Sequence, residues 1–188
     1  MVFDLDFTVT TDTFIALTAL IFSLVDLYLH IHKERIRFRI RQDSSEPSYN
    51  FSFVMFKRYH CAFFRVSIEN LSSSPATISR FVLHGPGDLS VPAVEYNLSD
   101  HYNKNGISLF DRHDTNKGQM YNLRSENLLN HLRFEPHDSA SGYLVFFDVP
   151  TITAESQKYT LHTYVGSKHY RTRLIATKLP DDLKPLHE

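Results

Sequence analysis

One stretch constrains this chain more than any other. Phe14–Ile31 (FIALTALIFSLVDLYLHI) is eighteen residues long and apolar enough to cross a bilayer. At 1.5 Å rise per residue it makes a helix of ~27 Å, close to the roughly 30 Å hydrocarbon core. A soluble core helix needs a polar face, and Phe14–Val25 is apolar on nearly all sides. A secretory signal needs a basic leader and a small-residue cleavage site. Here Asp4, Asp6 and Asp12 lead, and no such site follows. The expectation is a short segment over 1–13 and a transmembrane helix over 14–31.

The flanks predict an orientation. Acidic residues precede the span, while Lys33, Arg35, Arg37, Arg39 and Arg41 follow it, offset only by Glu34. Basic flanks stay cytoplasmic. The amino terminus is therefore expected outside and the rest of the chain inside, and the basic cluster is placed to meet anionic headgroups of membrane lipid. Asp26 interrupts the span and shares a helix face with Ser23 and His30. Three readings stay open: a carboxylate snorkelling to the interface, helix self-association through this trio, or proton-linked chemistry.

Beyond the anchor, roughly 145 residues remain, enough for one domain with a real core. Phe (15) and Tyr (10) are abundant while Gly (6) is scarce, which favours a folded sheet protein over disorder. Arg35–Arg41 alternates with period two, Ile36, Phe38 and Ile40 against four arginines, so a strand follows the helix almost at once. Further strands are expected over Tyr49–Phe56, Cys61–Asn70 and Ala76–His84. Tyr159–Val165 and Lys168–Ala176 flank Gly166-Ser167, a two-residue hairpin signal. Between 85 and 134 the pattern is weak. Apolar patches at Ile107–Phe110 and Met120–Leu123 interrupt polar sequence, and Ser125–Leu132 reads as a short helix capped by Ser125. Eight or nine strands with little helix predict a two-layer antiparallel sandwich over 33–178, followed by a loose polar tail over 179–188.

Two phrases carry a resemblance. Val66–Ile78 (VSIENLSSSPATI), a strand ending in Asn before a Ser/Pro turn, resembles a turn of immunoglobulin-like sandwiches. Glu135–Pro150 (EPHDSASGYLVFFDVP), a Pro and small-polar turn before a strand holding Phe146 and Phe147, resembles another. Joined to an N-terminal anchor, the chain is similar to small single-pass membrane proteins of bacteria and phages with one immunoglobulin-like sandwich. The resemblance implies a fold and no catalytic residues.

Little else points to chemistry. Net charge is −1, so no global field attracts nucleic acid, and Arg171 and Arg173 are only two charges on one strand face. Cys61 is the only cysteine, which excludes an internal disulfide, suits a reducing compartment and reads as a small buried hydrophobe. Among eleven histidines, the best metal cluster is His101, Asp111, His113 and Asp114, in what reads as a solvated polar loop. The same loop, Asn97–Gly118, or a sheet edge, is the expected site for a protein partner. Asp114–Gly118 lacks the distal Glu of a calcium loop, and no nucleophile-elbow, phosphate-loop or dinucleotide glycine pattern occurs. The sequons at Asn70 and Asn97 are silent on a cytoplasmic domain. No enzyme and no cofactor are expected. The function read from the sequence is a membrane-anchored β-sandwich for protein–protein interaction; the alternative is a superinfection-exclusion or defence protein encoded by a prophage or its host.

Overall fold

The structure, a computed structural model, describes residues 11–33, 35–54, 58–96, 106–114 and 117–185. One helix, α1 (Thr11–Lys33), leads into β1 (Phe38–Gln42), β2 (Tyr49–Val54), β3 (Arg58–Asn70), β4 (Ala76–His84) and the short β5 (Ser90–Pro92). A hairpin of β6 (Ile107–Asp111) and β7 (Gly118–Tyr121) follows, then a 3-10 turn over Leu128–Asn130 and β8 (Arg133–Phe134). Long strands β9 (Ser139–Phe147), β10 (Ser156–Val165) and β11 (Lys168–Lys178) precede the final β12 (Leu183–Pro185).

Strand β3 is the axis of the fold because both of its faces are covered. Ala62, Phe64, Val66 and Ile68 point into a main core, whereas Cys61 and Phe63 point the other way into a second. One edge of β3 pairs antiparallel with β9 along Cys61–Glu69. Its other edge is shared, with β2 on Arg58–Ala62 and β1 on Val66–Asn70. The opposite layer is β11–β10–β4–β5. At one corner β2 meets β11 in a short parallel pairing, Tyr49 with Thr177 and Asn50 with Lys178. At the other, the chain after β5 crosses over and Val94 bridges to Val145 of β9. The result is a β-sandwich whose main sheet nearly closes on itself around Phe64, Phe81, Phe134, Phe146 and Leu161.

The second core is roofed by a three-stranded sheet in the order β12–β6–β7. Ile107, Leu109 and Tyr121 from this roof cluster with Phe63, Tyr143 and Val145. Within the stretch expected as a polar loop over 97–118, Ile107–Asp111 and Gly118 belong to the hairpin, where Ile107 and Leu109 cover the apolar outer face of β3. Gly106 lets that hairpin close: a Cβ there would lie 1.7 Å from the Tyr121 carbonyl oxygen. The 179–188 segment is likewise not all loose, since β12 pairs with Leu109–Asp111 and Leu179 and Leu183 pack on the second core.

Local signals fared unevenly. The helix expected over Ser125–Leu132 is the 3-10 turn, and its cap is Asn127 rather than Ser125. Asn127 is buried; its Oδ1 accepts from Leu129 N at 2.9 Å while its Nδ2 donates to Val94 O at 3.3 Å. Strand β4 falls on the expected residues, and Gly166 turns the β10–β11 hairpin at φ +56°. Inward positions Tyr159, Leu161, Thr163 and Val165 are all buried.

Two polar groups tie the loops down. Asn70, fully buried, donates from Nδ2 to the carbonyls of Ser74 (3.0 Å), Glu135 (3.0 Å) and Phe134 (3.4 Å). Its Oδ1 accepts from Ser72 N at 3.1 Å and from the Ser72 hydroxyl. Arg65 sits where β3 changes partner from β2 to β1. It reaches Glu126 (2.8 Å), Asp43 (3.3 Å) and Glu46 (3.4 Å), with its guanidinium over the Tyr143 ring, and so pins the 43–48 loop.

One buried group has no partner among the described residues: the Thr163 hydroxyl, on an inward position of β10. A buried hydroxyl without a hydrogen bond carries its full desolvation cost. Thr163→Val is expected to raise stability by about 1 kcal/mol. The check is a denaturant midpoint that moves up with unchanged slope.

Candidate functional site

Helix α1 extends the expected span by three residues before it and two after. None of the apolar window Thr11–His30 is buried against the sandwich. Phe14, Leu17, Leu20, Ile21, Phe22 and Leu24 each leave more than half of their surface exposed. Ser23, Asp26 and His30 are exposed too, on one face of this helix. Asp26 makes no hydrogen bond or ion pair among the described residues.

The junction to the domain is short and pinned. The Ile36 carbonyl accepts from Lys168 Nζ (3.1 Å) and Tyr170 Oη (3.0 Å), so the end of β1 nearest the helix is held by the β10–β11 hairpin. Three residue steps from Lys33 to Ile36 span at most about 10 Å. Farther along, Thr172 Oγ1 donates to Ile40 O at 3.4 Å, and the Gln42 amide bridges both backbone groups of Ile175. Side chains thus stitch β1 to β11 where no backbone ladder runs. Lys33 ends α1, and Arg35, Arg37, Arg39 and Arg41 point outward as the period-two pattern requires. Arg39 is engaged with Glu69 at 2.9 Å, an exposed pair that adds little stability.

The described members of the loop cluster, Asp111, His113 and Asp114, lie in the turn of the β6–β7 hairpin. His101 lies outside the described residues. Asp111 ends β6 and accepts from His113 N at 2.8 Å, which makes it a turn former. The Asp114 carboxylate faces Lys117 at 3.4 Å, while the carbonyls of Asp114 and Lys117 hold the hairpin turn. Among the described residues, no group of three or more His, Cys, Asp or Glu is arranged to hold a metal ion. Cys61 is fully buried, and burial pushes its thiol up from the ordinary value, which disfavours the reactive thiolate.

A different constellation emerges on the outer face of β4, β10 and β11. The register aligns outward residues in three rows: Arg80–Tyr164–His169, Val82–His162–Arg171 and His84–Thr160–Arg173. Lys158 and Ile175 form a fourth, shorter row. No carboxylate stands anywhere in these rows, although the whole chain has 21 acidic against 20 basic residues. The His162 ring lies 4.2 Å from that of His84 and 5.6 Å from that of His169. Arg80 covers Tyr164 at 4.3 Å. The sequence marks Tyr159–Val165 and Lys168–Ala176 as strands but not this face, because its members come from strands about 90 residues apart and meet only through register.

Burial lowers the His162 pKa from its ordinary value of 6.5, aided by the nearby His84, Arg171 and His169. A base that binds its proton more weakly when folded leaves stability intact above the unfolded value and erodes it as pH falls through that value. Stability is therefore expected to decline as pH drops from about 7 toward 5. Urea midpoints across this range check it, with His162→Gln showing a flatter profile.

Comparison with described protein families and with curated proteins finds no match. Among solved structures, similarity is remote. The Northeast Structural Genomics Consortium target SoR45 aligns at 8% identity and TM-score 0.34, over 81% of this chain and 93% of that one. An uncharacterized β-sandwich protein from Clostridium difficile 630 aligns at 7% identity and TM-score 0.30, over 74% of this chain and 81% of its own. Neither likeness carries a functional argument.

Proposed function

We propose that this chain is a single-pass membrane protein that presents a non-enzymatic, immunoglobulin-like β-sandwich at the cytoplasmic membrane face as a protein-interaction module. The observation that carries the reading is the wholly uncovered apolar helix. About twenty residues of exposed apolar surface have no place in water, and the described part of the sandwich covers none of them. The short, pinned junction keeps the domain at the bilayer instead of on a long tether. The basic run from Lys33 to Arg41 favours the cytoplasmic side. Its partners are membrane lipid and a second protein, bound through the sheet edges or the β6–β7 hairpin, and the Ser23–Asp26–His30 face serves for helix self-association.

Alkaline extraction of membranes tests the anchor. The full chain stays in the membrane pellet, and recovery in the soluble fraction would overturn the reading. Chemical crosslinking in those membranes tests the module: a discrete heavier adduct with a second protein is expected, and an uncrosslinked monomer at native abundance counts against it.

A further inference from the structure

The rows of the β4–β10–β11 face are not uniform in size. Thr160 is the smallest side chain on it, and it lies between two long ones, His84 on β4 and Arg173 on β11. Lys158 flanks it along β10, and the Gly85–Pro86 turn forms a rim. Together with Tyr159 these residues line an open notch of about 360 Å³. No carboxylate lines it.

The cations in the notch are unspent. Neither Lys158 nor Arg173 makes an ion pair or side-chain hydrogen bond among the described residues, whereas Arg39, Arg65 and Arg133 each have a carboxylate partner. Leaving two cations beside a histidine, on a face that also carries Arg80 and Arg171, builds a local positive potential on a protein of near-zero net charge. One row away, His162 has a lowered proton affinity, caused first by burial and then by its neighbours His84, Arg171 and His169. A compact anion of high charge, with several acceptor oxygens, matches this set of donors.

We propose that the Thr160 notch binds a phosphate group. Arg173 supplies a planar two-pronged donor, Lys158 a mobile charge, and the Thr160 hydroxyl and the His84 ring directional hydrogen bonds to the remaining oxygens. The site does not depend on the membrane reading: a soluble phosphomonoester and a phosphorylated lipid headgroup offer it the same chemistry.

The test uses the full chain in nanodiscs, with the ring proton resonances of His84 as the readout. In phosphatidylcholine discs, inorganic phosphate and then glycerol phosphate are titrated in; in parallel, discs containing phosphatidylinositol phosphate are compared with phosphatidylcholine alone. Saturable shifts with the soluble probes support the site and identify a free phosphate ligand, and shifts only in the phosphoinositide discs support it and identify a headgroup. The double variant Lys158→Gln/Arg173→Gln keeps the fold, since both side chains are exposed and unpartnered, and weakens either response about tenfold or more. Absence of a saturable shift with every probe, or equal affinity in the double variant, would overturn the proposal.

Discussion

Phe63→Ala is expected to cost the domain about 3–5 kcal/mol, the range for deleting a buried phenyl ring. That is a large fraction of the ~5–15 kcal/mol available to a whole domain. Phe63 is fully buried, and its ring meets those of Tyr121 (4.9 Å), Tyr143 (5.8 Å), Tyr49 (6.0 Å) and Phe51 (6.1 Å). It therefore joins β2, β3 and β9 to the roof strand β7, and no neighbour is placed to fill the space it leaves. Urea unfolding of the detergent-solubilised chain measures the cost. Labelling of the Cys61 thiol, two residues away on the same face, gives a second readout: inert in the native protein, it reacts faster in the variant. A cost under about 1 kcal/mol would mean that the roof sheet does not pack as described.

Asn70→Ala is expected to be nearly as damaging, for a different reason. The side chain fills no large space, yet it satisfies three carbonyls and the Ser72 amide inside a buried turn. Buried groups left without partners cost ~1–3 kcal/mol each, so a loss of about 3 kcal/mol or more is expected. That corresponds to a fall in Tm of roughly 6–12 °C. Asn70→Asp does not rescue it, because a carboxylate has no N–H to give the Ser74, Phe134 and Glu135 carbonyls. An unchanged melting temperature in either variant would remove Asn70 from its place as the hub of the turn.

These two residues also mark where sequence reading succeeds and fails. The turn at Asn70 was legible, because a strand ending in Asn before a Ser/Pro turn is a local signal; the bonds of its side chain to Phe134 and Glu135, more than 60 residues on, were not. Nor was Phe63. A run such as Cys61–Phe64 shows that both faces of a strand are buried, but nothing local says what covers the second face. The cover came from Ile107, Leu109 and Tyr121, short patches inside polar sequence, and from Leu183 in a segment that reads as a tail. Helix α1 and the β10–β11 hairpin were legible because length and period suffice to define them. The cationic face was hidden for the opposite reason to the helix. Each histidine and arginine on it looks like an ordinary outward residue of its own strand, and only pairing between strands gathers them.

Protease digestion of oriented membrane vesicles tests the central claim most directly. If α1 spans the bilayer with its basic end inside, the sandwich is digested in inside-out vesicles and protected in right-side-out ones. Digestion in right-side-out vesicles would contradict the orientation, and loss of the chain from both preparations on washing would contradict the anchor itself.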